Sequence, residues 1–195
     1  MSRLIAIVCL VLTLGGAAAL AQSAKPKLKV AGDGFPTGQD TPEGVACDLV
    51  RAFITHDPAL FSRICIRSYA EGIRDNYATF LKNTVQSMKD EAAKATPSLG
   101  GPKSIGKVFA ARHLTKEGPA SYGYTVFDFQ DVMFVDVGVF LQDGSHALNR
   151  TFVIKDKDGK WYVHPIPTIS PLLSDGLNEE GPSQTDFSEV YDVQK

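Results

Sequence analysis

The chain has 195 residues, of which 20 are basic and 22 acidic, so its net charge is −2 at pH 7 with neutral histidines. A chain of this length suits one domain with its own hydrophobic core. No block of basic residues stands out, which argues against nucleic acid as a partner.

The first 21 residues have the pattern of a secretory signal peptide. The basic start Met1-Ser2-Arg3 precedes the apolar run LIAIVCLVLTL, which is too short to span a bilayer comfortably. Ala19-Leu20-Ala21 then fits the small-residue cleavage pattern. We predict a cut after Ala21 and a secreted or periplasmic protein that is not membrane-bound after cleavage. The alternative is an uncleaved N-terminal anchor.

Two cysteines, Cys47 and Cys65, remain after this segment. In an exported chain they predict a disulfide, which would stabilise the fold by about 3 kcal/mol on the chain-entropy model. The alternative is a pair of buried thiols. A catalytic thiol is disfavoured because neither cysteine has a neighbouring His or a C-x-x-C partner.

Three helices are predicted after a linker at 22–40. Thr41-Pro42-Glu43 combines an N-cap, a proline at the first helical position and an acid in the first turn, and Asp57-Pro58 repeats this start. Ser68 and Glu71 form a capping box for a third, longer helix.

From Ser104 the pattern changes to period two, typical of strands. Strands are predicted near 104–115, 120–129, 131–142, 146–156 and 160–166. Helices followed by such a meander indicate an α+β fold, with three N-terminal helices packed on a curved antiparallel sheet of about five strands. The acidic tail, 167–195, is expected to be partly disordered.

Asp143-Gly144 and Asp158-Gly159 predict two hairpins. Two-residue loops would set Val137 opposite Arg150 and Ile154 opposite Val163. One face would then be continuous and apolar and would pack on the helices. Its predicted members are Met133, Val135, Val137, Val139, Leu148, Phe152, Ile154, Trp161 and Val163. The mixed opposite face would hold Phe134, Asp136, Phe140, Thr151, Val153, Tyr162 and His164.

Two segments resemble the nuclear transport factor 2-like superfamily. TPEGVACDLVRAFITHDPALFSRI resembles its opening helices, and RTFVIKDKDGKWYV resembles its closing hairpin. The resemblance covers 41–166 and implies a cystatin-like cone, a curved sheet wrapped around helices with a pocket at its open end. Because the superfamily contains isomerases, hydrolases, dehydratases and non-catalytic binding modules, it does not imply one function.

Two candidate sites follow. The cone pocket is predicted to include Tyr77, Asp131, Arg150 and Trp161, although no motif ties an acid to a tyrosine as in the isomerase-like members. Arg150, predicted in the middle of the inner face, would need a carboxylate such as Asp131 or an anionic ligand. The candidate interface consists of Phe134, Asp136, Phe140, Tyr162 and His164.

The motifs for specific chemistry are incomplete. Gly101 to Lys107 lacks the hydroxyl residue and following helix of a phosphate-binding loop, and the histidines lack metal-ligand spacing. We therefore expect no catalytic residue, metal or cofactor. The prediction is an exported, non-enzymatic domain that binds a small molecule or a protein. The alternatives are an isomerase, hydrolase or dehydratase that uses the cone pocket, and a homodimeric assembly module.

Overall fold

The computed structural model describes residues 25–66, 74–113, 131–170 and 184–194, with only the backbone at 74–76 and 165–170. These residues form an α+β fold with three α-helices, a three-stranded sheet and a five-stranded sheet. The predicted signal peptide, the capping box at Ser68 and Glu71, and the predicted strand at 120–129 lie outside the described residues.

The first two helices begin where local capping chemistry predicts. In α1 (Pro42–Ile54) the Thr41 side chain accepts a hydrogen bond from the Gly44 amide, and in α2 (Pro58–Ile64) Asp57 accepts from the amides of Ala59 and Leu60. Both N-caps satisfy amides that have no partner within the helix. The third helix, α3, spans Arg74–Ala92.

The three-stranded sheet joins the two ends of the described chain. β1 (Lys27–Val30) pairs antiparallel with β2 (Pro36–Thr37) and parallel with β8 (Asp192–Gln194). Phe187, in a short 3-10 helix just before β8, is buried. The described parts of the segments expected to be a linker and a partly disordered tail therefore contain strands that pair with each other.

The five-stranded sheet is antiparallel, in the order β3-β5-β6-β7, and β4 also pairs with β5. Its strands are β3 (Pro102–Val108), β4 (Arg112–His113), β5 (Asp131–Leu141), β6 (His146–Lys155) and β7 (Trp161–Ser170).

Both hairpin turns have three-residue loops, so the two-residue loops expected from the sequence are wrong. The amide of Leu141 donates to the carbonyl oxygen of Ser145 (2.8 Å), and that of Asp156 to Lys160 (2.9 Å). Gly144 and Gly159 adopt φ of 85° and 78° at the third loop position. This is the geometry of a turn followed by a left-handed residue, in which glycine is favoured.

Each three-residue loop shifts the pairing by one residue. Val137 faces Asn149 and Val153 faces Val163, whereas Arg150 faces Asp136. The shift at the first turn moves β6 by one residue relative to β5, so every side chain of β6 lies on the face opposite to the predicted one. The shift at the second turn compensates for the first, so β5 and β7 keep their predicted faces.

We call the helix-covered side of this sheet the inner face and the other side the outer face. The inner face carries Met133, Val135, Val137, Val139, Ala147, Asn149, Thr151, Val153, Lys155, Trp161 and Val163. The outer face carries Val132, Phe134, Asp136, Gly138, Phe140, His146, Leu148, Arg150, Phe152, Ile154, Tyr162 and His164. Leu148, Phe152 and Ile154 were thus predicted on the wrong face, as were Thr151 and Val153.

The main core lies between the inner face and the helices. Val135, Val137, Val153 and Val163 are fully buried there with side chains of α1 and α2, and Met88 of α3 joins them. A second, smaller cluster forms on the outer face, where Ile154 packs with Tyr77 of α3 and Ile66. The third helix therefore contributes to both sides of the sheet, not to the inner face alone.

Candidate functional site on the outer sheet face

The four residues predicted for the cone pocket do not meet. Trp161 is buried in the main core, and Asp131 lies at the start of β5 with its carboxylate 3.3 Å from Nδ1 of His113. Tyr77 packs in the second cluster, and its hydroxyl donates to the carbonyl oxygen of Ile66 (3.0 Å). Arg150 lies on the outer face, so its predicted inner position is wrong.

Arg150 does pair with an acid, but the acid is Asp136. The two residues face each other across β5 and β6, and the guanidinium donates from Nε to Oδ1 (2.7 Å) and from Nη2 to Oδ2 (2.9 Å). This two-bond geometry matches the planar fork of arginine to a carboxylate. The carboxylate of Asp136 is almost inaccessible, with 6 % of its side chain exposed.

A second arginine, Arg112, reaches the same carboxylate from β4. Its Nη2 donates to Oδ2 of Asp136, and both guanidiniums lie over the ring of Phe134, at 4.4 Å for Arg112 and 5.0 Å for Arg150. The faces of aromatic rings attract cations in this geometry. We call Arg112, Phe134, Asp136 and Arg150 the arginine cluster. It contains two positive charges and one buried negative charge.

The sequence placed Phe134 and Asp136 on this face but gave no sign of Arg112. Arg112 lies opposite Phe134 after the pairing with β5 has shifted by one residue at three places, near Pro102, near Ile105 and between Val108 and Arg112. Such irregularities have no strong local sequence signal, so alternation along a predicted strand could not find this contact.

Phe140 forms an exposed aromatic patch farther along β5. Its ring lies over Gly106, where an added Cβ would come within 2.8 Å of it, and meets the ring of His146 edge-on at 5.7 Å. Phe140 is 40 % exposed. The glycine therefore makes room for an aromatic side chain that still presents much of its surface to solvent.

The other end of the outer face is covered. The ring of His164 lies 5.9 Å from that of Tyr77, and the Tyr162 hydroxyl donates to Oδ2 of Asp158 in the turn (2.7 Å). Burial lowers the pKa of His164 to about 4. Of the predicted interface residues, Phe134, Asp136 and Phe140 therefore lie on the open part of the face, and His164 is beneath α3.

The inner side holds a small apolar cavity between α1 and the sheet. Its volume is about 100 Å³. The lining side chains are aliphatic or aromatic except for Asn149, whose amide donates to Thr151 (3.0 Å), and they include Leu49, Phe53, Val139 and Ala147. Drug-sized ligands usually occupy pockets of roughly 300–1,000 Å³, so this cavity suits only a small apolar group.

Polar side chains in α1 secure the β1–β2 hairpin. Arg51 donates to both carboxylate oxygens of Asp33 (2.8 and 2.7 Å) and to Oδ1 of Asp48 (2.8 Å). Asp48 also accepts from the Thr37 hydroxyl (2.8 Å) and the Gly38 amide (2.9 Å). Every named group is paired with the hairpin, so this network is structural.

Glu43, in the first turn of α1, is buried at 2 % exposure and connects distant segments. Its oxygens accept from the Ala111 amide (2.8 Å) and the Tyr191 hydroxyl (2.9 Å). Burial, together with the adjacent Glu43 carboxylate, raises the pKa of Tyr191. The sequence identified Glu43 only as a helix-start acid, because its partners are about 70 and 150 residues away.

Cys47 and Cys65 are both buried and are thiols in the structure. Burial raises the pKa of Cys47, which disfavours the thiolate that nucleophilic chemistry requires. The predicted disulfide between the two stays a prediction.

Within the described residues, no group of three or more His, Cys, Asp or Glu side chains is arranged to hold a metal ion. No helix among these residues is long and apolar enough to cross a membrane. Comparison with protein-family models, curated proteins and solved structures finds no match to this chain. The superfamily resemblance therefore stays a prediction.

Proposed function

We propose that this protein is an exported, non-enzymatic binding domain that holds a protein partner on the outer face of its five-stranded sheet. The observation that carries the proposal is the combination of exposed Phe140 with the arginine cluster. Aromatic side chains and arginine are the residues enriched in protein interfaces and in their energetic hot spots. Export rests on the N-terminal signal pattern alone.

The fold is compatible with this function. Three helices and a five-stranded antiparallel sheet support membership of the cone-shaped nuclear transport factor 2-like class, and the superfamily includes binding modules. The surroundings of Tyr77 and Asp131 favour binding over catalysis in the cone. The hydroxyl of Tyr77 donates a hydrogen bond to a backbone carbonyl oxygen, and the carboxylate of Asp131 lies beside His113. The two side chains therefore interact with different partners.

A small-ligand binder is the second candidate, because of the apolar cavity beneath α1. A short aliphatic chain such as that of n-pentanol is the appropriate probe for a cavity of about 100 Å³. Binding is measured from the rise in melting temperature with ligand concentration. Ala147→Val narrows the cavity, so it should abolish any rise seen for the wild type. A rise that persists in this variant would contradict binding in the cavity.

The partner-binding proposal is tested by site-specific crosslinking in the cells that naturally produce the protein. Phe140→benzoylphenylalanine keeps the phenyl ring of Phe140 and adds a photoreactive benzoyl group on the outer face. The matched control is Leu99→benzoylphenylalanine, since Leu99 is 69 % exposed and lies before β3 rather than on the outer face. We expect a discrete adduct from position 140 that is missing from position 99.

The mass of that adduct distinguishes a different protein from a second copy of this chain, which is the homodimeric alternative. Absence of an adduct at position 140, or equal adducts at both positions, would contradict the proposed outer-face function.

A further inference from the structure

We infer that the site which holds residues 184–194 is a peptide-binding site that also accepts an extended segment of a partner protein. The partner segment carries a phenylalanine and, four residues later, a tyrosine, followed by a short strand. Residues 184–194, which we call the C-terminal segment, compete with the partner for this site. The site is separate from the outer face of the five-stranded sheet.

The C-terminal segment is held by its backbone in the manner of a peptide that adds a strand to a sheet. Its strand β8 pairs in parallel with β1, and the Asp192 amide donates to the carbonyl oxygen of Pro26 (2.9 Å). Near its start, the Thr185 amide donates to the carbonyl oxygen of Val108 (3.2 Å), and the Ala110 amide donates to Oγ1 of Thr185 (2.9 Å). In strand addition, such main-chain hydrogen bonds supply affinity, and side-chain pockets supply specificity.

Two aromatic side chains anchor the segment. Phe187 is 7 % exposed and belongs to the main hydrophobic core. The hydroxyl of Tyr191 donates to the buried carboxylate of Glu43 (2.9 Å), and the rings of Phe187 and Tyr191 lie 6.2 Å apart. Buried aromatic groups, including tyrosines with a hydrogen-bonded hydroxyl, are the anchors that dominate binding energy in protein interfaces.

The rest of the segment is open to solvent. Phe187 is the only buried residue among 184–194, and seven of these eleven residues are exposed. Burial concentrated in a few anchors is typical of a bound peptide, whereas an interior strand buries side chains along its length. A segment with so little buried apolar surface can open locally while the main core stays folded.

The site itself is built from parts of the fold outside the segment. Glu43 lies in the first turn of α1 and also accepts from the Ala111 amide (2.8 Å), which orients its carboxylate. β1 pairs with β2 on its other edge, and the Arg51 network secures that hairpin. These contacts do not involve the segment, so the site keeps its arrangement for an incoming peptide.

The protein's own segment sets the threshold for any partner. Because it is part of the same chain, it returns to the site as an intramolecular ligand with a high effective concentration. The apparent affinity for a partner segment is reduced to the extent that the site is closed. Weakening the protein's own segment should therefore strengthen peptide binding, an effect that a purely structural strand would not produce.

The inference is tested with the full exported chain and a fluorescein-labelled peptide, QTDFSEVYDVQK, which has the sequence of residues 184–195. Fluorescence anisotropy measures its dissociation constant. Phe187→Ala in the chain, checked for an unchanged circular dichroism spectrum, removes the main anchor, so we expect it to bind the peptide at least about tenfold more tightly than the wild type. Tyr191→Phe removes only a hydroxyl and should produce a smaller increase.

Val190→Ala is the matched control, since Val190 lies between the two anchors and is 54 % exposed. It should change the affinity of the chain for the peptide by less than about twofold. A peptide that itself carries Phe187→Ala should bind the Phe187→Ala chain at least about tenfold more weakly than the unchanged peptide.

A disulfide trap tests where the peptide binds. Lys27 and Asp192 are paired in the β1–β8 register and are both exposed. A peptide with Asp192→Cys should therefore form a disulfide with a Phe187→Ala chain that carries Lys27→Cys. The same chain with Leu99→Cys in place of Lys27→Cys should form little of it, because Leu99 lies before β3.

Equal peptide affinity of the wild type, Phe187→Ala and Tyr191→Phe would overturn the inference, as would equal binding of the two peptides. Equal disulfide formation at positions 27 and 99 would refute the location of the site. In analytical ultracentrifugation we expect a wild-type monomer. A wild-type dimer that Phe187→Ala loses would identify a second copy as the occupant and overturn the assignment to a partner protein. The crosslink at position 140 tests the outer face independently of these results.

Discussion

The two faces of the five-stranded sheet use similar strands for different purposes. On the inner face, Val135, Val137 and Val153 are inaccessible and belong to the main hydrophobic core. The outer face instead surrounds a buried charge, Asp136, with half-exposed arginines and an exposed Phe140. Covered apolar surface stabilises the fold, whereas polar groups that are paired and still reachable are suited to recognition.

The different roles of the two faces are tested most strongly at Val153 and Phe152. The three-residue loops place each of these residues on the face opposite to the one predicted from the sequence. Val153→Asp buries a charge in the core and should destabilise the protein by more than about 4 kcal/mol, enough to prevent cooperative folding. Phe152→Asp, on the outer face, should cost less than about 2 kcal/mol. Urea unfolding followed by circular dichroism measures both, and the reverse order of effects would refute the register.

His164 tests the covered part of the outer face. Burial lowers its pKa to about 4, against about 6.5 in an unfolded chain. The folded state therefore resists protonation, so the contribution of neutral His164 is complete above pH 6.5 and is lost as the pH falls towards 4. The free energy of unfolding should drop by up to about 3 kcal/mol across that range.

The measurement is urea unfolding at a series of pH values. His164→Phe should remove most of this dependence, whereas His113→Gln, at a side chain that is 67 % exposed, should keep it. An unchanged pH dependence in His164→Phe would show that His164 is accessible to solvent.

Ala147 tests how completely the inner face is packed. Ala147→Val adds two carbon atoms to the cavity beneath α1 and should stabilise the protein by about 1 kcal/mol. Ala147→Ser leaves the volume nearly unchanged and controls for the loss of alanine itself. A higher melting temperature for the valine variant alone is expected, and destabilisation by valine would mean that the cavity is too narrow or misplaced.

Local features were predictable from the sequence because their causes are local. The N-caps Thr41 and Asp57 and the hairpin glycines Gly144 and Gly159 act within a few residues of themselves, and each marks the element that the structure contains. The position of Arg150 was not predictable in the same way. Asp-Gly occurs in loops of two and of three residues, and one residue of difference moves the side chain to the other face.

The sequence by itself determined the α+β class, the starts of α1 and α2, the positions of the hairpins and the faces of β5 and β7. Only the tertiary structure decided the face of β6 and the meeting of Arg112 with Asp136. It also decided the pairing of β1 with β8, which lie more than 160 residues apart. Helix capping and the alternation of apolar residues along a strand depend on neighbouring residues. Strand register, bulges and the pairing of strands distant in sequence depend instead on which arrangement of the whole chain buries most apolar surface while its polar groups stay hydrogen-bonded.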